Sequence, residues 1–298
     1  MWRLAWTCSA VVEDSLLWRL EQLGIRHTAT VREPEEETVT VLAWLDRQAW
    51  SEQQVRALAA PLTTLAEIFQ APTLRFYLAE QAQEAWSSSW QQHWRPDPVG
   101  DTLLVLPSWL DCPPEQRHRQ ALRLDPGRAF GTGEHPSTRL CMEALERHQE
   151  LVKDALVVDL GCGSGILGIT SLALGAARVV ASDVDTMAVS TSRENGALNG
   201  HGPEQLQVVH GSSREIVPWV GPGADVLLCN ILAPVIMELA PDFAQLLKPG
   251  GGRGWLSGLL LSQADALQEH LAGLGWRAEV AATQQDWALL ALTRCGRP

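Results

Sequence analysis

The residues best suited to bind a small molecule lie in a glycine-rich segment past the middle of this 298-residue chain. The apolar run Leu156–Leu160 leads into Gly161, Gly163 and Gly165, and a helix-length segment follows. Glycine allows the backbone to turn sharply and lets a ligand approach where a Cβ would clash. The sequence therefore predicts a ligand site at a strand-to-helix turn.

Two cofactor classes fit these glycines. Gly163, Gly165 and Gly168 satisfy the G-x-G-x-x-G pattern of nicotinamide and flavin enzymes, which is a weak signal when it stands alone. Asp159 precedes the first glycine, and its charge suits a cationic sulfonium and amino group better than a pyrophosphate. Asp159 therefore favours a sulfonium cofactor, with capping of the glycine-loop amides as its alternative role.

Asp183 ends the following strand, 22 residues after Gly161. A carboxylate at that strand tip can accept hydrogen bonds from both ribose hydroxyls, a role that dinucleotide sites share. Its alternative role is the N-cap of a helix, ahead of Asp185. We expect Asp183, Gly161 and Gly163 to bind the cofactor.

A second candidate group begins at Asn230, directly after the apolar run Val226–Cys229, and reads Asn-Ile-Leu-Ala. In open α/β sheets the ligand crevice lies at the carboxyl ends of the strands, so Asn230 should face the same crevice as Gly161. An asparagine oxygen can accept a hydrogen bond from an amine and aim the amine's lone pair at a methyl group. An asparagine at a strand end is also a common turn residue.

A third group, Phe130 to Thr138, precedes the glycine strand. Gly131 and Gly133 predict a loop that folds over a cofactor, with Phe130 and Thr138 in contact with it. His135 is a candidate general base, although an ordinary hydrogen-bonded loop histidine is the simpler interpretation.

The elements that must position these residues alternate regularly from about residue 121 onward. Apolar strand-like runs are separated by helix-length segments, which predicts a parallel sheet covered on both faces. The last segments are typical of a helix and two closing strands: Ala264–Leu274, Arg277–Ala281 and Trp287–Leu292. We therefore predict an α/β, Rossmann-like fold for the C-terminal part of the chain.

The first 80 residues follow a different order. Hydrophobic periodicity predicts β-α-β-β-α-β, the order of a small ferredoxin-like α+β domain. The predicted elements are strands at Arg3–Cys8, Ile25–Val31, Thr38–Leu45 and Thr73–Leu78, and helices at Glu13–Leu23 and Ser51–Phe69. Four acidic residues between two of these strands are more typical of a solvated hairpin tip than of a docking patch: Glu33, Glu35, Glu36 and Glu37.

Between these two parts lies a segment rich in tryptophan. Trp86, Trp90 and Trp94 fall on one side of a helix. We interpret them as packing that anchors a stiff linker rather than as a peptide-binding stripe. The predicted domains are a ferredoxin-like domain at 1–84, a linker at 85–118 and a Rossmann-like domain at 119–298.

Composition limits the other possibilities. Hydrophobic residues make up 46% of the chain and charged residues 19%, an ordinary balance for a globular protein. The formal net charge of −12 disfavours direct nucleic-acid binding and favours a basic partner. The six cysteines form no metal-binding pattern, and no run is long and apolar enough for a membrane span. We expect a cytoplasmic protein with neither a metal nor a membrane partner.

The ordered motifs resemble the PrmA-type ribosomal protein L11 methyltransferases, a family of class I S-adenosylmethionine-dependent enzymes. The matching residues, over roughly 105–298, are Leu124-Asp125-Pro126-Gly127, Phe130-Gly131-Thr132-Gly133 with His135, Asp159 to Gly165, and Asn230 to Ala233. The resemblance implies a seven-stranded catalytic domain and an N-terminal ferredoxin-like domain that grips the substrate. It also implies trimethylation of lysine side chains and of the N-terminal amine of ribosomal protein L11, a large-subunit protein.

Carried over by motif, the resemblance assigns four residues to the S-adenosylmethionine site: Thr138, Gly161, Asp183 and Asn230. This sequence departs from the family pattern in two places. Ser137 stands where threonine is usual, and the presumed fifth strand, Gly250–Ser257, is unusually rich in glycine.

We expect in-line transfer of a methyl group to a neutral amine that Asn230 and the nearby backbone orient, with positioning supplying most of the rate. Three alternatives are a methyltransferase of the same fold acting on another protein or a small amine, a nicotinamide oxidoreductase, and a non-catalytic binding module. The first would not need residues 1–80. Asp159 and the Asn230 motif disfavour the second, and the intact glycines with Asn230 disfavour the third.

Overall fold

The computed structural model describes residues 2–9, 12–25, 28–32, 38–47, 49–63, 65, 71, 74–80, 94–125, 131 and 133–295. The chain forms two compact units, Met1–Trp94 and Arg95–Pro298. Trp86, Trp90 and the acidic residues at 33 and 35–37 lie outside the described residues, so what was predicted for them stays a prediction. Within the described ranges, no helix has the length and apolar character needed to cross a membrane.

The N-terminal unit is a four-stranded antiparallel sheet with two helices packed on its buried face. Its elements are β1 (Trp2–Ser9), α1 (Glu13–Gln22), β2 (Thr28–Arg32), β3 (Thr38–Leu45), α2 (Glu52–Thr63) and β4 (Arg75–Glu80). Alternate residues of β1, such as Leu4 and Trp6, are buried against Leu16 and Leu20 of α1. The sheet order β2-β3-β1-β4 confirms the predicted β-α-β-β-α-β arrangement.

The C-terminal unit begins with a small sheet that the sequence analysis did not predict. Its strands, in spatial order, are β5 (Asp97–Val99), β6 (Leu103–Pro107) and β7 (Gln120–Leu124). Leu103 and Leu122 are buried in one core with residues of the large sheet of this unit. The predicted linker at 85–118 therefore differs from the structure: residues 95–118 belong to the C-terminal unit, because their apolar side chains complete its core.

The large sheet has seven strands in the order β10-β9-β8-β11-β12-β14-β13. They are β8 (Leu156–Leu160), β9 (Arg178–Asp183), β10 (Leu206–His210), β11 (Val226–Asn230), β12 (Arg253–Leu260), β13 (Trp276–Gln284) and β14 (Trp287–Arg294). The first five in spatial order pair in parallel, whereas β14 is antiparallel to both of its neighbours. This arrangement confirms the predicted Rossmann-like α/β class.

Helices cover both faces of the large sheet. They are α3 (Pro136–Arg147), α4 (Gln149–Val152), α5 (Ile166–Ala173), α6 (Thr186–Leu198), α7 (Ser213–Val220), α8 (Ala233–Leu239), α9 (Phe243–Leu246) and α10 (Ala264–Gly273). Neighbouring residues of β8 enter different cores: Val157 packs with α3, α5 and α6, and Val158 packs with α7, α8 and α10. Burial on both faces explains why the parallel strands appear in the sequence as continuous apolar runs.

The order of the strands reverses direction between β8 and β11. From β8 the sheet grows through β9 and β10 on one side, and from β11 it grows through β12 on the other. Such a switch point opens a crevice at the carboxyl ends of the strands. The glycine loop follows β8 and Asn230 ends β11. The topology therefore brings two of the predicted groups together.

Strand β12 contains a glycine at the point where the segment after Asn230 approaches it closely. Gly258 has φ +79°, and a Cβ added there would lie 2.4 Å from the carbonyl oxygen of Ile231. The pairing of β12 with β14 shifts register between Leu256 and Leu259, around the same glycine. Gly258 thus allows the segment after Asn230 to lie directly against β12.

Candidate active site

A cavity of about 490 Å³ opens at the switch point. Its size falls within the range of about 300–1,000 Å³ that is typical of small-molecule sites. Six of the predicted site residues line it: His135, Thr138, Gly161, Gly163, Asp183 and Asn230. Phe130, which was also predicted to contact the cofactor, lies outside the described residues.

The glycine loop owes its shape to positions where no other residue fits. Gly161 has φ +69°, and an added Cβ would lie 2.4 Å from Cγ2 of Ile231. Gly165 has φ +83°, and an added Cβ would lie 2.4 Å from Oγ of Ser192. Both the backbone conformation and the space around it therefore require glycine. The loop is held between the Asn230 segment on one side and helix α6 on the other.

Asp183 ends β9 and faces the cavity. Its Oδ2 accepts the N–H of Gly163 at 2.9 Å, and its Oδ1 accepts the N–H of Asp185 at 2.9 Å. The helix cap belongs to Asp185, which accepts the N–H of Met187 at the start of α6. Because each carboxylate oxygen has more than one acceptor site, Asp183 can hold the loop and still accept hydroxyl donors from a ligand.

Asp159 lies behind the glycine loop and not on the cavity wall. It is 1% exposed, and its Oδ2 accepts the N–H of Gly168 in the first turn of α5 at 3.0 Å. Burial raises the pKa of Asp159 to about 7, helped by the charge of Asp183 and opposed by the Gly168 hydrogen bond. This geometry corresponds to the capping role, and it gives no support to the predicted direct contact between Asp159 and a cationic cofactor.

Asn230 ends β11 beside the glycine loop. Its Nδ2 donates to Oγ1 of Thr138 at 3.1 Å, and Thr138 is itself fully buried in α3. The Oδ1 atom of Asn230 is buried and has no hydrogen-bond partner among the described residues. A buried acceptor without a donor is unfavourable. The site therefore contains one amide oxygen that is fixed in place and ready to accept a donor.

His135 precedes α3 and caps it. Its Nδ1 lies 2.8 Å from Oγ of Ser137 and accepts the Ser137 N–H at 3.3 Å. The ring packs edge-on against Trp287, with 4.5 Å between centroids. Burial lowers the pKa of His135 and so favours the neutral ring, in which the Ser137 N–H makes Nδ1 the acceptor. Because the cap occupies Nδ1, this atom gives no support to the predicted role of His135 as a general base.

The family model described as "Ribosomal protein L11 methyltransferase (PrmA)" matches residues 1–295. This chain belongs to that family. Two relatives named ribosomal protein L11 methyltransferase, from Synechococcus sp. (strain RCC307) and Prochlorococcus marinus (strain MIT 9313), are 51% and 49% identical to it. Each alignment covers 98% of this chain and 97% of the relative.

A solved structure agrees with this membership of the PrmA family. The ribosomal protein L11 methylase of Lactobacillus delbrueckii subsp. bulgaricus is 30% identical and superposes with a TM-score of 0.61. The match covers 68% of this chain and 100% of that chain. The likeness therefore extends to the three-dimensional fold.

Several residues that line this PrmA-family cavity were missed by the sequence analysis, among them Val184, Ser212 and Trp287. Val184 directly follows Asp183, and Ser212 lies just after β10. Asn230 was located by the rule that strand ends face the crevice. The same rule could have identified Val184 and Ser212. Trp287 begins β14, more than a hundred residues from the glycine loop. No local pattern marks it, because only the closing strand of the sheet brings it against His135.

Proposed function

We propose that this chain uses S-adenosylmethionine to methylate lysine side-chain and N-terminal amines of ribosomal protein L11. The observation that carries the proposal is the buried, unpartnered Oδ1 of Asn230 in the same cavity as the glycine loop. Leaving such an acceptor without a donor costs about 1–3 kcal/mol. Its position therefore favours a ligand that brings an N–H group, and a neutral amine does so.

The cavity fits S-adenosylmethionine in its polar and apolar parts. The carboxylate of Asp183 suits the ribose hydroxyls, and the positive φ angles of Gly161 and Gly163 allow close approach of a ligand to the backbone. Val184, 72% exposed beside Asp183, offers an apolar surface to a flat base. The bound cofactor supplies an activated methyl group on a sulfonium centre.

The residues of this chain position the amine. Thr138 holds Nδ2 of Asn230, so Oδ1 is left to accept an amine N–H and to fix the direction of the nitrogen lone pair. A lysine amine has a pKa of about 10.4 and must lose a proton before it attacks. Since Nδ1 of His135 serves the helix cap, we propose that this proton is lost to water and that His135 with Trp287 shapes the wall.

Recognition of ribosomal protein L11 is proposed for the N-terminal unit. That unit has its own sheet and its own core, and the residues that line the cavity all lie at or beyond Gly131. It is therefore available for a task other than cofactor binding. The net charge of −12 is favourable for a basic protein substrate and unfavourable for direct binding of nucleic acid.

The proposed reaction is tested with the full-length chain, labelled S-adenosylmethionine and isolated ribosomal protein L11. We expect label on lysine and N-terminal amines, located by peptide mass spectrometry. The Asn230→Ala variant is the matched control and should transfer little label. A chain that binds the cofactor but labels a different protein, or only small amines, would contradict the proposed substrate.

The recognition role has a test of its own, which is a truncated chain that begins at Arg95. A start after Val99 would delete β5 and the Arg139–Asp97 ion pair, which belong to the C-terminal unit. The truncated protein, once circular dichroism shows that it is folded, should bind S-adenosylmethionine but fail to methylate ribosomal protein L11. Full activity of the folded truncation would remove the recognition role from the N-terminal unit.

A further inference from the structure

We infer that Asn195 is a positioning residue of the cofactor cavity, because it joins the glycine loop to Asp125 and, through Ser164, to Gly131. Asn195 lies on α6, outside every motif used to predict the site, and it does not line the cavity. The inference rests on the proposed function, since it concerns the affinity of that site for S-adenosylmethionine.

The side chain of Asn195 is fully buried and forms hydrogen bonds to two separate chain segments. Its Oδ1 accepts the N–H of Asp125 at 2.8 Å, just after β7, and its Nδ2 donates to the carbonyl oxygen of Ser164 at 2.9 Å. A buried amide is tolerated only when its polar atoms are paired. An apolar side chain at 195 would leave both backbone groups without these partners.

Ser164 extends this connection to the cavity wall. Its Oγ, also fully buried, donates to the carbonyl oxygen of Gly131, which lines the cavity. Helix α6 also touches the loop at Gly165, whose added Cβ would lie 3.2 Å from Cα of Ser192. Asn195 is therefore the polar link through which α6 fixes the loop beside Gly163 and Asp183. Loss of the link should reduce the preorganisation of the cofactor site.

Asn199, one turn further along and at the end of the same helix, offers a matched control. Its Oδ1 accepts the N–H of Arg123 at 2.8 Å and its Nδ2 donates to the carbonyl oxygen of Arg123 at 2.7 Å. These bonds hold β7 in the same manner, but they do not reach the glycine loop. Asn195 therefore has a hydrogen bond to the glycine loop and Asn199 does not, and the inference depends on this difference.

The test compares the full-length variants Asn195→Ala and Asn199→Ala by calorimetry with S-adenosylmethionine and by thermal unfolding. Both should lose stability, whereas only Asn195→Ala should weaken cofactor affinity, by about tenfold or more. Turnover of Asn195→Ala should return close to the wild-type rate at saturating cofactor, because the reacting groups are untouched. Equal affinity losses in the two variants, or no loss in Asn195→Ala, would overturn the inference.

A milder variant keeps the inference testable if Asn195→Ala does not fold. Ser164→Ala removes the hydrogen bond to Gly131 and should weaken cofactor affinity several-fold, by about the loss of one buried hydrogen bond. Asn195→Asp keeps an acceptor for Asp125 but loses the donor to Ser164. In the double variant, the affinity losses of Ser164→Ala and Asn195→Asp should not add up, because both substitutions break the same connection. Additive effects would overturn the inference alone. A wild-type chain that does not bind S-adenosylmethionine would overturn the proposed function as well.

Discussion

Two strand ends meet at the cavity, and their polar side chains are used differently. At the end of β9, both oxygens of Asp183 accept backbone N–H groups, of Gly163 and Asp185. At the end of β11, Asn230 uses its Nδ2 to hold Thr138 and leaves Oδ1 without a partner among the described residues. Asp183 is therefore held in place by the backbone, and we propose that a ligand supplies the missing donor to Asn230.

Under the proposed function, this difference separates cofactor binding from orientation of the nucleophile. A side chain that already organises a loop contributes mainly to affinity, because its geometry does not depend on the second substrate. A side chain with an unpaired, fixed acceptor contributes mainly to the rate, because a correctly placed amine gains its hydrogen bond there. Substitutions at the two positions should therefore change different kinetic parameters.

The largest effect is expected for Asn230→Ala. The substitution removes the acceptor that orients the amine, so turnover should fall by roughly a hundredfold or more. Affinity for S-adenosylmethionine should change little, because Asp183 and the glycine loop are intact. Single-turnover methylation of ribosomal protein L11, with affinity measured in parallel by calorimetry, checks both parts. Normal turnover at saturating substrate would show that Asn230 does not orient the amine.

For Asp183→Ala we expect a smaller effect, which lowers the affinity for the cofactor and leaves the turnover at saturation intact. Charge-assisted hydrogen bonds contribute about 1.5–3 kcal/mol each, so affinity for S-adenosylmethionine should fall by at least about tenfold. Asp185→Ala is the control: it removes a helix cap worth about 1 kcal/mol of stability and should leave the affinity nearly unchanged. Calorimetry on the folded variants measures the difference. Unchanged affinity in Asp183→Ala would remove this residue from the site.

The third substitution is at His135, which lines the cavity. His135→Ala deletes the cap of α3 and should lower the free energy of unfolding by about 0.5–2 kcal/mol. A capping residue should affect turnover by less than about tenfold, whereas a general base typically contributes about a hundredfold to ten-thousandfold. Denaturant titration and steady-state rates distinguish the two roles. A hundredfold loss of turnover with unchanged stability would establish His135 as the base.

At Asp159, behind the glycine loop, we expect an effect on the pH dependence of stability. Burial raises its pKa to about 7, so the folded state holds this proton more tightly than the unfolded chain, whose aspartates titrate near about 3.9. The resulting stability is complete below about pH 4 and is lost as the pH rises through about 7. Asp159→Asn cannot lose a proton and should show a weaker fall in unfolding free energy between pH 5 and pH 8. Identical pH dependence in urea denaturation would contradict the raised pKa.

Much of the fold was predictable because its signals are local. The strand predicted at Thr38–Leu45 has those bounds in the structure, and β9 ends at Asp183 as the pattern indicated. The three-stranded sheet before α3 was missed, since β6 pairs in parallel with β7 across an irregular connection. Such pairing depends on the surrounding core and leaves little mark on the sequence of either strand.

The site was predictable where a strand end placed a residue, and less so where packing decided its role. Asn230, Asp183, Gly161 and Gly163 were placed correctly at the cavity because parallel strands end at one edge of the sheet. Asp159 was interpreted as a ligand-facing charge, but the alternation of β8 buries it under α5. Asn195 was not found at all, because its partners are backbone atoms of segments that are distant in the sequence.

The most direct test of this account measures two parameters on two variants under one set of conditions: the dissociation constant for S-adenosylmethionine and the rate of methyl transfer to ribosomal protein L11 at saturating cofactor. Asp183→Ala should show a raised dissociation constant and a rate that recovers at saturation. Asn230→Ala should show the reverse, with a near-normal dissociation constant and a rate that does not recover. If both substitutions changed the same parameter, the division between a binding strand end and an orienting strand end would be wrong.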